Sequence, residues 1–212
     1  LSSSHHSLAV LEARLQQDLL WLNQPAKSWT PPLLVDGREV LDVAVIGSGL
    51  CGLVTLAALQ RIGIGNTRAF DRATQGLEGP WITYARMETL RTRKDAAGPA
   101  LGIPSLTFRA WFEAQFGAQA FLDMDLIPRA MWMEYLVWYR RVLKLDVVND
   151  SALTGVAFRQ DGLIALTFAR GNVQENVLAR RVFLATGLDG LGAPAMPPVA
   201  ARVGSVGLTT LL

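Results

Sequence analysis

The stretch Val43–Gln60, VAVIGSGLCGLVTLAALQ, constrains the fold of this chain more than any other. It carries no charge between Asp42 and Arg61, so a membrane span is the first reading to test. A spanning helix needs roughly 20 consecutive apolar residues. Here a Gly-Ser-Gly break follows directly on four β-prone residues, and no basic segment with a small-residue cleavage site precedes it. Neither a span nor a signal peptide fits. Gly47-Ser48-Gly49-Leu50-Cys51-Gly52 instead forms a G-x-G-x-x-G between a strand and a helix. In that setting Gly47 permits a tight turn, Gly49 lets backbone approach a pyrophosphate, and Gly52 allows close helix–strand packing. The first N–H groups of the helix and its dipole both favour a bound phosphate.

The flanking residues extend this into a βαβ unit. Residues 41–46 (LDVAVI) predict a buried strand, 50–63 a helix and 66–71 (NTRAFD) a second strand closing on an acid. Asp71 lies nineteen residues beyond Gly52, where an acid accepts hydrogen bonds from a ribose. Arg72 follows it. Cys51 lies inside the glycine motif, but it is the only cysteine, so it has no resolving partner and reads as a small packing residue.

Composition narrows the classes. The chain has 212 residues, 50% hydrophobic and 18% charged, with a formal net charge of +2. That charge is too small and too scattered for a nucleic-acid binder. One cysteine excludes an internal disulfide or a multi-thiolate metal site, so a cytoplasmic setting is expected. The two histidines, His5 and His6, fall in a Ser-rich leader that reads as a tail outside the fold, which leaves no histidine for catalysis or metal binding.

Elsewhere, residues 8–23 predict an amphipathic helix capped by Ser7, followed by a Pro-rich extended linker. Residues 72–106 form a Gly/Pro-rich stretch too long for an ordinary connector, and it is expected to be functional. Its composition, with Trp81, Tyr84 and Met87, argues against a free linker. Residues 107–117 and 128–144 predict helices. Trp132, Tyr135, Trp138 and Tyr139 read as packing, and Arg140 and Arg141 as a solvated helix end. Three short β-type runs from Ala152 to Arg180, separated by QDG and RGN turns, predict an antiparallel meander. Residues 180–187 (RRVFLATG) predict a separate, fully buried strand.

The series VAVIGSGLCGL…FD…EGPW…LATG…P…PP resembles the FAD half of the flavin-dependent monooxygenases that also use NADPH. That group includes flavin-containing, Baeyer–Villiger and N-hydroxylating enzymes. The resemblance implies an α/β fold: a Rossmann-like FAD-binding domain with a parallel sheet, crossover helices and a three-stranded β-meander, preceded by an N-terminal helix. It implies that Gly47, Ser48, Gly49, Leu50, Cys51 and Gly52 hold the pyrophosphate, that Asp71 holds the adenosine ribose and that Arg72 belongs to the cofactor-binding set. It also places Leu153 at the adenine edge, Gly79, Pro80 and Trp81 along the flavin, and Ala185, Thr186 and Gly187 against the cofactor.

The implied division is residues 1–40 for the helix and linker, 41–199 for the FAD-binding domain and 200–212 for a short tail. FAD is the implied cofactor and NADPH follows from the resemblance alone. The partners implied are a small-molecule substrate and a longer polypeptide or second chain completing the site, with neither nucleic acid nor membrane. Two departures stand out. Shortly after the Gly-x-Trp segment, where the family often carries an Asn, Arg91, Thr92, Arg93 and Lys94 stand together with Arg86 nearby, either as an anion-binding cluster or as a solvated loop. No second glycine fingerprint follows Gly187, so the chain alone is expected to show little NADPH-dependent flavin reduction. A non-catalytic dinucleotide-binding module, or an FAD reductase or oxidase served by a partner, is the alternative.

Overall fold

The computed structural model describes residues 2–187. The glycine motif sits in a six-stranded mixed sheet with strand order β5-β4-β3-β8-β7-β6. Strand β3 (Leu41–Ile46) lies between β4 (Thr67–Phe70) and β8 (Val173–Leu184), parallel to both, and β5 (Val147–Val148) extends β4 in parallel. Helix α2 (Leu50–Arg61) makes the crossover from β3 to β4, as the 3.6-residue repeat of Leu53, Leu56 and Ala57, all buried, requires. Strands β6 (Ala152–Phe158) and β7 (Ile164–Arg170) complete the far edge as antiparallel hairpins with β8.

Strand β8 departs from expectation. A separate third meander strand and a separate buried strand were expected; one 12-residue strand does both. Val173–Ala179 pairs antiparallel with β7, and Ala179–Leu184 pairs parallel with β3. Nor is its end fully buried, since Phe183 is 46% and Leu184 66% exposed. A strand is buried on both faces only where layers cover both. Successive residues point to opposite faces, and with both exposed the described residues cover neither face fully at this end.

The helices form one layer. Helix α1 (Ser2–Trp21), α3 (Phe108–Phe116), α4 (Ala118–Asp123) and α5 (Arg129–Val142) pack with α2 around an aromatic core of Phe108, Trp111, Phe112, Trp132, Tyr135 and Tyr139. The packing reading of the α5 aromatics holds. Leu15 of α1 is fully buried in the same core, and Glu12 bonds both Trp138 Nε1 and Arg141 on α5. The N-terminal helix is therefore continuous with the main core, and the segment holding His5 and His6 is helical. The Pro-rich linker carries a two-stranded ribbon, β1 (Leu34–Val35) with β2 (Arg38–Glu39). On the other sheet face, Leu41, Ala44, Ile46, Phe70, Leu166, Phe168 and Ala179 make a smaller core, with Phe70 and Phe168 stacked at 4.1 Å. Among the described residues no helix is long and apolar enough to cross a membrane, and no cluster of metal-ligating side chains occurs.

Residues 72–103 hold no helix or strand, yet α5 stitches them to the body. Arg129 donates to the Trp81 carbonyl at 2.6 Å, Tyr139 Oη to the Pro99 carbonyl at 2.9 Å, and Leu90 N to the Ile127 carbonyl at 2.8 Å. Leu90, Ala100 and Ile103 are buried in the main core. The stretch is a packed wall of the molecule.

Candidate dinucleotide-binding site

The turn after β3 is fixed by the chain's own backbone. Gly47 adopts φ +98°, a region that side chains rarely enter, and its N–H donates to the Phe70 carbonyl at 2.8 Å. A Cβ on Gly47 would fall 2.9 Å from the Ala185 carbonyl carbon, with the oxygen nearer still. A Cβ on Gly52 would meet the Gly47 carbonyl in the same way, with its carbon at 2.9 Å. Both glycines are dictated by packing. Gly49 is different. Its φ is −64°, and a Cβ there would meet only the Gly79 backbone, at an ordinary 3.7 Å. The fold leaves room for a side chain at Gly49.

Gly49 is the N-cap of α2, with no side chain accepting from the first turn and no acid within it. The N–H groups of a helix's first turn have no intrahelical partner, so this end attracts an anion. Opposite it stands Gly79, at φ +71°, whose added Cβ would lie 3.8 Å from the Gly49 Cα and 3.7 Å from Trp81 Nε1. Trp81 Nε1 is buried with no hydrogen-bond partner among the described residues. The structure thus brings Gly49 and Gly79 together across a long sequence gap, with Trp81 beside them. Ala185 joins them, its N–H donating to the Ile46 carbonyl at 2.8 Å and its carbonyl pressed on Gly47. Thr186 and Gly187 follow it, exposed, with Gly187 at φ +65°. Leu50 is half-buried and Cys51 exposed at the same turn.

Asp71 is buried at 8% exposure, and its carboxylate is already engaged. Oδ2 accepts from the Ser48 N–H at 2.6 Å and from Ser48 Oγ at 3.2 Å; Oδ1 accepts from the Ala73 N–H at 2.8 Å. Its contribution within the chain is to hold the turn, and a ribose would share this carboxylate with Ser48. Arg72 is exposed beside it. Ser151 N donates to the Asp71 carbonyl at 2.8 Å, which brings the start of β6 and Leu153 to the same edge. Leu153 packs against the Phe70–Phe168 cluster.

One expectation is corrected. Arg140 is no solvated helix end: its side chain is 16% exposed and pairs with the buried Glu78 at 3.1 Å. Of the two readings of the cation-rich loop, the solvated one describes Arg93, 87% exposed, while Lys94 is engaged by backbone. Lys94 Nζ donates to the carbonyls of Phe121, Leu122 and Met124 at the C-terminus of α4, where the dipole favours a cation, and Arg93 pairs with Asp95 at 2.8 Å. Sequence reasoning missed Glu78 and Asn149 as partners of Arg140. Glu78 adjoins the Gly-x-Trp segment, but nothing in a linear pattern ties it to a residue 62 positions away.

A family model described as FAD-NAD(P)-binding matches residues 44–189. The chain belongs to this family. A curated member, the FAD-dependent urate hydroxylase of Xanthomonas campestris pv. campestris, is 43% identical over 192 residues, which are 90% of this chain and 40% of that protein. The chain therefore spans well under half of that relative's length. Among solved structures, the ornithine hydroxylase of Pseudomonas aeruginosa aligns with a TM-score of 0.62 at 14% identity, covering 77% of this chain and 42% of that one. The FAD-bound cadaverine monooxygenase of Erwinia amylovora aligns at 0.57 with 19% identity, covering 71% and 36%. Those likenesses establish a shared fold.

Proposed function

We propose that this chain supplies the FAD site of a flavin-dependent hydroxylase that draws reducing equivalents from NAD(P)H and acts on a small molecule. Gly49 carries the reading. Packing explains Gly47 and Gly52, whereas a Cβ at Gly49 would meet only the Gly79 backbone, at ordinary van der Waals distance. A glycine reserved there, beside an uncapped helix N-terminus, suits backbone approach by a pyrophosphate. The orphaned Trp81 Nε1 supplies a further donor beside the turn. FAD fits these residues.

When bound, FAD supplies the activation of oxygen that side chains alone cannot. The residues of this chain bind and orient it. The N–H groups of Leu50, Cys51 and Gly52 hold the pyrophosphate, and Ser48, fixed by Asp71, sets their direction. Asp71 retains lone pairs for a ribose hydroxyl. Gly79, Pro80 and Trp81 form the opposite wall and exclude water from the cleft. Urate, the substrate named for the bacterial relative, is the first substrate to try, and a reducing cytoplasm suits the exposed Cys51 thiol.

Purified chain should carry or take up FAD at one equivalent, seen by its blue and near-ultraviolet absorbance. Gly49→Val should abolish uptake while leaving the melting transition in place. Wild-type chain that binds NADPH but not FAD would overturn the assignment.

A further inference from the structure

We propose that Glu78, Arg140 and Asn149 form a buried latch that holds Gly79–Trp81 over the glycine turn, making them positioning residues for the cofactor cleft. Glu78 immediately precedes Gly79, and its residue exposure is 3%. Its Oε2 accepts from the Gly76 N–H at 2.7 Å; its Oε1 accepts from Arg140 Nη1 at 3.1 Å and Asn149 Nδ2 at 2.7 Å. Arg140 is anchored in turn to the Val147 carbonyl at 2.9 Å and to Asn149 Oδ1 at 2.7 Å. Asn149 also donates to the Ala73 carbonyl at 2.9 Å. Three elements converge on one carboxylate: α5, the exit of β5, and the segment running from Asp71 to the cleft wall.

The composition of the latch argues for placement over stability. Two charges withdrawn from water cost free energy that their attraction often fails to recover, and apolar residues of similar volume commonly replace such pairs without loss. What an apolar pair cannot do is fix direction. Glu78 meets its three donors at defined angles, and only one peptide separates it from Gly79. Ser48, Glu78, Leu136 and Arg140 also line one small cavity behind the turn, so the latch and the turn share a wall. Any sideways movement of Glu78 carries Gly79 and Trp81 away from Gly49. The latch rests on the FAD reading for its consequence, while its effect on the order of residues 72–88 stands by itself.

The test uses the full chain and two variants. In Glu78→Leu/Arg140→Met the ion pair is replaced by apolar volume. In Asn149→Ala the pair stays and two bonds to the segment are lost. Hydrogen–deuterium exchange on the cofactor-free protein should show residues 72–88 exchanging at least tenfold faster in the double variant, and less so in Asn149→Ala, with protection of β3 and α2 unchanged. FAD affinity, followed by flavin fluorescence, should fall at least tenfold in the double variant, and restoring Glu78 and Arg140 should recover it. Unchanged exchange across 72–88 in both variants overturns the latch. A wild type that takes up no FAD removes the functional reading, and the exchange result then decides the latch by itself. Faster exchange with wild-type FAD affinity leaves a structural brace only and overturns the positioning role.

Discussion

The two walls of the cleft are built on different principles. The glycine turn is short and local: Gly47 to Gly52, the strand before and the helix after make it, with Asp71 tying off Ser48. The facing wall, Glu78 to Trp81, belongs to a long segment without regular structure. It is held by side chains from far along the chain, with Arg140 at Glu78, Arg129 at the Trp81 carbonyl and Tyr139 at the Pro99 carbonyl. One wall is fixed by where backbone fits. The other is fixed by which buried polar groups find partners.

That contrast breaks first at the glycines. Gly52→Ala should destabilise the chain by about 3 kcal/mol or more, because a Cβ overlaps the Gly47 carbonyl and both are backbone-bound. Gly49→Ala should shift stability by only about 0.5 kcal/mol. Urea titration of the two proteins checks the pair. Equal losses would mean that packing, not a ligand, dictates both glycines.

The second wall should break through charge. Arg140→Ala leaves the Glu78 carboxylate buried without its cation, a loss of about 3–5 kcal/mol. Thermal and urea unfolding give that figure directly, and a loss below about 1 kcal/mol would show that water reaches the pair.

A smaller effect lies deeper in the same wall. Tyr139→Phe orphans the buried Pro99 carbonyl, at a cost of about 1–3 kcal/mol. Burial raises the Tyr139 and Tyr135 hydroxyls well above their usual range. In the unfolded chain they ionise near pH 10. Their folded-state value is raised, so their contribution is whole below about pH 10 and is lost as pH rises beyond it. Unfolding curves from pH 8 to 11 should show wild-type stability falling more steeply at the alkaline end than that of Tyr139→Phe.

The smallest effect is at the surface. Hydrogen bonding from Arg141, opposed by burial and helped by Trp138, lowers the Glu12 carboxyl below its ordinary range. A lowered acid contributes above its unfolded value and loses that contribution as pH falls through the folded one. Glu12→Gln should therefore cost under about 1 kcal/mol at pH 7, since Arg141 is largely exposed, and the difference should shrink as acid titration carries Glu12 below the ordinary carboxylate range.

How much of this was written in the chain follows the same division. Strand, turn and helix around Gly47–Gly52 were legible because period, β-branching and glycine spacing act within a few residues. The aromatic packing of α5 was legible for the same reason, since Trp132, Tyr135 and Tyr139 recur at helical spacing. The continuity of β8 was not: Val173–Leu184 reads as two runs in sequence and becomes one strand only when β7 and β3 offer it partners on either side. Arg140 reads as a solvated helix end until Glu78 arrives to meet it.

The sequence by itself determined that a glycine turn joins a strand to a helix and where it lies, because that turn depends on backbone conformations only particular residues allow. The tertiary structure alone decided what stands across from it. A buried charge has no local signature. Whether Glu78 and Arg140 meet water or each other depends on the packing of α5 against a segment with no period of its own, and only the folded chain brings those two charges within 3.1 Å.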